Sequence, residues 1–348
     1  MKIGVGRNNT RIILALTSLL WVIVGCGHRS KPLELYGLRG HTMGTTYSIK
    51  IVQERGRAVD VNALKAEIDE LFKQVNLKMS TYLQESELSR LNRAPAGEWF
   101  PVSTEMMTVL IEARRVSEKS NGAFDITVGP LVNLWGFGPE MRPTVVPTDS
   151  EIAARRALVG YQKLELQESP PAVRKAAAGM YCDLSAIAKG WGVDQAAERL
   201  EAKGFRNYMV EIGGEVRAKG VNAKGEAWRI GISSPDPQIA VQRVIRISGQ
   251  SVATSGDYHN YFEQNGVRYS HTIDPSTARP ITHKLASVTV IHPSCMTADA
   301  FATAIDVLGP DDGMRLAEKE NLAVFMIVKT EQGFVEQMNR AFEAFLQK

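Results

Sequence analysis

The sequence predicts an α+β body of largely antiparallel and mixed sheets flanked by helices. Three observations carry this expectation. Helix-like and strand-like segments follow one another irregularly, without the steady strand–helix–strand repeat of a doubly wound fold. The composition is that of an ordinary globular domain, 44% hydrophobic and 23% charged. Residues 36–348 contain no internal repeat, low-complexity tract or linker. A single body is therefore the simplest organisation for a chain long enough to bury a full core.

The elements follow from local patterning. His41 to Val52 reads as a strand, with Tyr47, Ile49 and Ile51 alternating. Val61 to Met79 reads as a helix, because Val61, Leu64, Ile68, Leu71, Phe72 and Val75 share one face. A short helix begins near Ser86. Ser103 caps a longer one that runs to Ser120 and is closed by Asn121-Gly122. Residues 136–148, rich in Gly and Pro, read as a loop, and Ser150 opens a helix ending at Gly160. Strands are expected near Lys163–Gln167 and Met180–Asp183, then a helix from Ser185 to Lys203 stopped by Gly204. Further strands are expected at Asn207–Ala218, Trp228–Ile232, Val241–Ile247, Val267–Ile273 and Ala286–His292. A helix from Met296 to Leu308, a strand Ala323–Val328 and a C-terminal helix complete the chain.

The N-terminus carries a separate signal. Lys2, Arg7 and Arg11 precede an apolar run from Ile12 to Val24. The run is short for a membrane span and suits the core of a signal peptide. It ends in Ile23-Val24-Gly25-Cys26, similar to a bacterial lipobox, in which Cys26 is lipidated and becomes the new N-terminus. A plain signal peptide, or an uncleaved anchor helix with a chance cysteine, is the competing reading. The expected organisation is a signal peptide at 1–25, a lipidated terminus and tether at 26–35, and a catalytic body at 36–348. Cys182 and Cys295 remain in the mature chain. Their context suits small buried hydrophobes, and sequence leaves their pairing open.

Several function classes are disfavoured. A net charge of +3 without any Lys/Arg-rich run offers no nucleic-acid footprint. The six histidines are scattered, and no HExxH or CxxC pairing or phosphate-binding GxxxxGK[ST] loop occurs. Gly190-Trp191-Gly192 begins like a dinucleotide fingerprint, but Gln195 stands at the third glycine position inside an expected helix.

Five segments carry chemistry. They are Thr42-Met43-Gly44-Thr45; Met79-Ser80-Thr81-Tyr82; Gly122 to Leu131, containing Ala123-Phe124-Asp125; Asp183-Leu184-Ser185 through Lys189-Gly190; and Ser270-His271-Thr272-Ile273-Asp274-Pro275 paired with Thr297 to Thr303. Asp299 and Thr303 are four apart in a helix, so both oxygens leave one face and suit a hard cation such as Mg²⁺. The alternative is a helix-start carboxylate and an ordinary threonine. Asp183 ends a strand and Ser185 is placed to cap a helix whose free amides favour phosphate; taken alone, a purely structural cap is the commoner reading. Lys189 reads as a phosphate contact or as a solvated lysine. His271 reads as a general base near neutral pH or as a satisfied polar residue. Gly213-Gly214 marks a bulge or a close backbone approach. The aromatic stretch Gly256 to Phe262 suits either a flavin wall or edge packing.

Taken together, these segments resemble the ApbE family of FAD:protein FMN transferases, in order, from about residue 40 to residue 310. The most specific pieces are Phe124-Asp125-Ile126-Thr127-Val128-Gly129-Pro130, Asp183-Leu184-Ser185, Ser270-His271 with Ile273-Asp274-Pro275, and Asp299 with Thr303. The resemblance implies an FAD site at Met43, Tyr82, Ala123, Phe124, Asp125, Asp183, Lys189 and Ile273. It implies a Mg²⁺ site of the Ala186 carbonyl, Asp299 and Thr303, and His271 as general base. Lys189 and Ala302 stand where some members carry an acidic residue, and Tyr82 matches transferase-type members. The implied reaction moves FMN from FAD to a threonine or serine of another protein and releases AMP. The implied acceptors are flavin subunits of membrane electron-transport complexes, the Na⁺-pumping NADH:quinone reductase and its Rnf relatives. A lipid anchor on the periplasmic side of the inner membrane would hold the enzyme near them. An FAD pyrophosphatase and a non-catalytic FAD-binding lipoprotein are the alternatives.

Overall fold

The computed structural model describes residues 1–4, 32–139, 145–236, 238–256 and 261–346. Cys26 and the apolar run before it lie outside these residues, as does most of the stretch from Gly256 to Phe262. Among the described residues, no helix is long and apolar enough to cross a membrane.

An eight-stranded sheet organises residues 33–346. Its strands are β1 (Leu33–Thr42), β2 (Thr45–Glu54), β3 (Asn207–Ile212), β4 (Glu215–Lys219), β5 (Gln250–Gly256), β6 (Leu285–His292), β7 (Ala323–Thr330) and β8 (Gly333–Met338). They lie side by side in chain order, every neighbouring pair antiparallel. The α+β expectation holds, and the sheet is a long meander with helices and small hairpins inserted between strands.

Alternation divides the sheet into two buried faces. On one, Ile49, Ile51 and Val210 meet Leu64, Ile68 and Phe72 of helix α1 (Val61–Met79). Val288, Val290, Val324 and Met326 meet Ala298, Phe301 and Ile305 of a later helix. On the other, Val52, Val252, Ile291, Phe325 and Ile327 pack with Trp228, Ile245 and Phe342. Because both faces of β7 are covered, Ala323 to Val328 reads as an unbroken buried run rather than an alternating one.

Three further helices frame the site: α2 (Thr104–Lys119), α3 (Ala188–Ala202) and α4 (Cys295–Lys319). The cap expected at Ser103 forms, accepting from the Met106 amide, and Ser86, where a short helix was expected to begin, caps it by accepting from the Ser89 amide. The start of α4 is tied down from outside. Asp194 of α3 accepts from the Cys295 and Met296 amides and from Ser294 Oγ, and pairs with Arg217 Nη1 of β4 at 2.8 Å. Gly190 lets the two helices touch, since a Cβ there would lie 2.4 Å from the Cys295 carbonyl oxygen.

Several sequence expectations need correction. β1 begins at Leu33, so the boundary at residue 35 falls inside a strand. The span Asn207–Ala218 is a hairpin, and Gly213-Gly214 is its two-residue turn, both residues at positive φ. The close approach is also present: a Cβ on Gly213 would lie 2.7 Å from Thr45 Cγ2. β5 was not expected, because Gln250-Ser251-Val252-Ala253-Thr254-Ser255-Gly256 is small and polar and its apolar alternation is weak. Met180–Asp183 joins no ladder; the strand in that region is Pro171–Lys175, paired with Leu164–Glu168. α3 starts at Ala188, not Ser185, so Ser185 is no N-cap; the cap position is Ile187, without a side-chain bond. Val267–Ile273 divides into Val267–Ser270 and a separate Ile273–Asp274. α4 continues past Leu308 through a kink at Gly309 and Pro310, because proline is tolerated where a new first turn begins. The expected C-terminal helix is the edge strand β8 followed by the four-residue helix Arg340–Glu343. Cys182 and Cys295 are both buried and free.

Candidate active site

The site forms where the helical face of the sheet meets the starts of α3 and α4. It is a trough of two joined clefts, of about 390 and 1230 Å³, which share Thr81, Tyr82, Asp183, Ser185 and Lys189. Ala123, Phe124, Asp125, Ala186, His271, Ile273, Asp299 and Thr303 line the inner cleft, and Met43 lines the outer one. The expected site residues within the described region therefore converge on one trough from six separate chain segments.

Each segment is placed by local chemistry. Met43 and Gly44, both at positive φ, make the two-residue turn of the β1–β2 hairpin. The Met43 side chain reaches back over α3, where a Cβ on Gly192 would lie 2.6 Å from Met43 Cε. The two glycines that imitate a dinucleotide fingerprint are thus packing residues. Tyr82 stands at the junction of the clefts, 72% exposed.

Asp125 lies in the inner wall, but its carboxylate is committed to the protein. Oδ1 accepts from the Thr127 amide and hydroxyl, and Oδ2 from the Tyr161 amide at 2.8 Å. Burial pushes its pKa up, against those three donors. Asp183 accepts from the Ser185 amide at 2.8 Å, closing an Asx turn at the trough edge.

Helix α4 supplies the acidic floor. Asp299, Thr303 and Asp306 recur at intervals of four and three, so all three face the inner cleft. Asp299 Oδ2 accepts the Gly190 amide at 2.9 Å. In a regular helix that amide would turn to the Ala186 carbonyl; Ala186 itself lines the cleft with Asp299 and Thr303. Thr303 Oγ1 lies 3.3 Å from Ser255 Oγ of β5. Asp306 accepts from the Thr272 hydroxyl at 3.0 Å, tying the His271 segment to the same helix face. His271 is half-buried, edge-on to Phe137 with ring centroids 6.3 Å apart.

Sequence reasoning missed Asp306 and Glu215. Asp306 was within reach, since it continues the helical spacing of Asp299 and Thr303. Glu215 directly follows the Gly213-Gly214 turn, yet only the turn places it opposite Lys189, whose Nζ lies 2.8 Å from Glu215 Oε1. Burial pushes the Glu215 carboxyl up to about 8, working against Lys189. Burial likewise raises Asp299, with Lys189 and the Gly190 amide opposing. Burial opposes the charge on Lys189, but Asp299 and Glu215 outweigh it and hold the ammonium above its ordinary value.

A trough this long, with an acidic end and a half-buried lysine, marks an α+β enzyme built for a large phosphorylated ligand. The donor set of carboxylate, hydroxyl and carbonyl suits a hard cation that keeps positions for other oxygens. Among the described residues no cluster of three His, Cys, Asp or Glu forms a closed metal cage.

Comparison with known proteins resolves the class further. The ApbE family model matches residues 43–326, and the chain belongs to that family. It is 52% identical over 337 residues to the FAD:protein FMN transferase of Vibrio cholerae, covering 97% of this chain and 99% of that protein. It is 38% identical over 346 residues to the FAD:protein FMN transferase of Escherichia coli K12, covering 97% of each. Among solved structures, the flavin transferase ApbE from Vibrio cholerae superposes with a TM-score of 0.84 at 51% identity, over 90% of this chain and all of that one. The apo flavinyl transferase ApbE of Pseudomonas stutzeri gives 0.83 at 40% identity, over 90% and 97%.

Proposed function

We propose that this chain transfers FMN from FAD to a threonine or serine hydroxyl of another protein, forming a phosphoester and releasing AMP. The observation that carries this reading is the convergence of His271, Lys189, Asp299, Thr303 and Ala186 in one cleft of an ApbE-family body. Mg²⁺ is the cation that fits. Asp299, Thr303 and the Ala186 carbonyl would hold it, and when bound it would neutralise charge on the FAD diphosphate.

The remaining chemistry belongs to the chain. The outer cleft, walled by Met43 and Tyr82, receives one half of the dinucleotide, and the inner cleft, with Phe124 and Ile273, the other. Lys189 offers a positive charge where the clefts meet, beside the bond that breaks. His271 orients the incoming hydroxyl and takes its proton as oxygen attacks the FMN phosphorus.

The acceptors in this reading are flavin subunits of membrane electron-transport complexes of the Na⁺-pumping NADH:quinone reductase or Rnf type. Lipidation at Cys26 places the enzyme on the periplasmic side of the inner membrane, supported by the basic start, the short apolar run and the lipobox-like Val24-Gly25-Cys26.

The test is the mass of such a subunit after incubation with the detergent-purified chain, FAD and Mg²⁺. The expected result is a gain of one FMN, lost with EDTA and with Asp299→Ala. Free FMN and AMP beside an unmodified subunit would replace the transferase reading with a pyrophosphatase.

A further inference from the structure

One group in the cleft is left with half its chemistry undone. Glu215 is 2% exposed and lines the inner cleft beside Asp299. Its Oε1 holds Lys189 Nζ at 2.8 Å, while its Oε2 is buried and meets no hydrogen-bond donor. A buried carboxylate oxygen without a donor is costly, so such an atom at the wall of a cleft marks a contact completed by a ligand.

The chemistry of the missing partner follows from what Oε2 can accept. A phosphate oxygen carries no proton to give, a second carboxylate would repel, and the incoming hydroxyl gives its proton to His271. A water bound to a divalent cation is a strongly polarised donor. The Asp299, Thr303 and Ala186 set offers a cation few protein ligands, which leaves positions that water fills.

We propose that Glu215 is a positioning residue of the cation site, its Oε2 accepting a hydrogen bond from cation-bound water while its Oε1 holds Lys189 in place. This rests on the cation reading given under Proposed function. It also explains how a lysine sits beside a cation site. With a cation bound, both carboxyls are held ionised, and their negative charge offsets cation and ammonium together.

The experiment is Mn²⁺ titration of the EDTA-stripped, detergent-purified full chain, with free Mn²⁺ read by electron paramagnetic resonance. Glu215→Gln is expected to weaken Mn²⁺ binding by about 10- to 100-fold, the usual scale for an outer-shell partner. Its melting temperature in EDTA is expected to match or exceed that of wild type, an outcome a merely structural glutamate would not give. The same loss is expected when Glu215→Gln is added to Lys189→Met. If the loss vanishes in that background, Glu215 acts only by neutralising Lys189, and the proposal is overturned. Unchanged Mn²⁺ affinity in Glu215→Gln overturns it equally. Should Glu215→Gln not fold, Glu215→Asp, one methylene short, is expected to show the same weakening. Asp299→Ala separates the two readings. If it binds Mn²⁺ as wild type does, the cation site itself is misplaced; if it loses binding while Glu215→Gln does not, only the role of Glu215 falls.

Discussion

Asp299 on α4 reaches across to α3 and accepts the Gly190 backbone amide at 2.9 Å. One bond thereby does two things. It closes the junction of the two helices, and it takes up the amide that a regular helix would turn to the carbonyl of Ala186, a residue lining the same cleft.

Asp299→Asn separates these roles. The amide oxygen still accepts from Gly190, so the fold should persist with an unchanged circular dichroism spectrum. The lost negative charge should lower FMN transfer by at least about 10-fold, since even an outer-shell partner is worth that much to a metal site. Wild-type turnover at saturating Mg²⁺ would remove Asp299 from the chemistry.

Gly190→Ala attacks the same junction from the other side. The new methyl would lie 2.4 Å from the Cys295 carbonyl oxygen and 2.8 Å from Met296 Cα, both backbone atoms that cannot turn aside. Overpacking of this kind costs about 1–3 kcal/mol. A melting temperature unchanged from wild type would mean that α3 and α4 do not pack as described. Activity should fall more than stability does, because the shift separates Ala186 from Asp299.

The buried carboxylates set a pH dependence. In the cation-free protein, burial pushes the Glu215 carboxyl up to about 8 from an ordinary 4.5. Between those values the folded form keeps a proton that the unfolded chain releases, so stability conferred at low pH is lost as pH rises toward 8. Asp299 is raised by burial and acts in the same direction, while Lys189, held above 10.5, stays charged throughout. Each such proton contributes a slope of at most about 1.4 kcal/mol per pH unit. Urea unfolding in EDTA at pH 5.5, 6.5 and 7.5 should show declining stability, with a shallower decline for Glu215→Gln. Identical slopes for both proteins would contradict the buried geometry.

Asp125→Ala tests a residue whose carboxylate faces inward. The substitution strands the Thr127 and Tyr161 amides and should cost about 3 kcal/mol, from lost bonds and unsatisfied donors together. Chemical denaturation measures it directly. A loss of FAD affinity without a loss of stability would instead assign the carboxylate to the ligand.

Legibility in the sequence followed the range of the interactions. The α1 and α2 spans, the helix start at Ser86 and the cap at Ser103 were readable, because each is decided within one or two turns of chain. β5 was not, since its small polar residues form a strand only between β4 and β6, where the sheet supplies both ladders. Asp306 was readable in principle from helical spacing. Glu215 was not, since nothing near it in sequence states that a lysine 26 positions earlier will face it.

The sequence by itself determined the α+β class, the family, and which residue types would do the chemistry. Periodicity, capping and motif order are local properties that survive without coordinates. Only the tertiary structure decided how those residues are used. It turned Gly190 and Gly192 into packing contacts, tied Asp125 to Thr127 and Tyr161, joined the Gly190 amide to Asp299, and buried Glu215 against Lys189. The physical reason is that burial and charge pairing depend on distance in space. In this chain the segments that meet in the trough are separated by as many as 260 positions, from Met43 to Thr303.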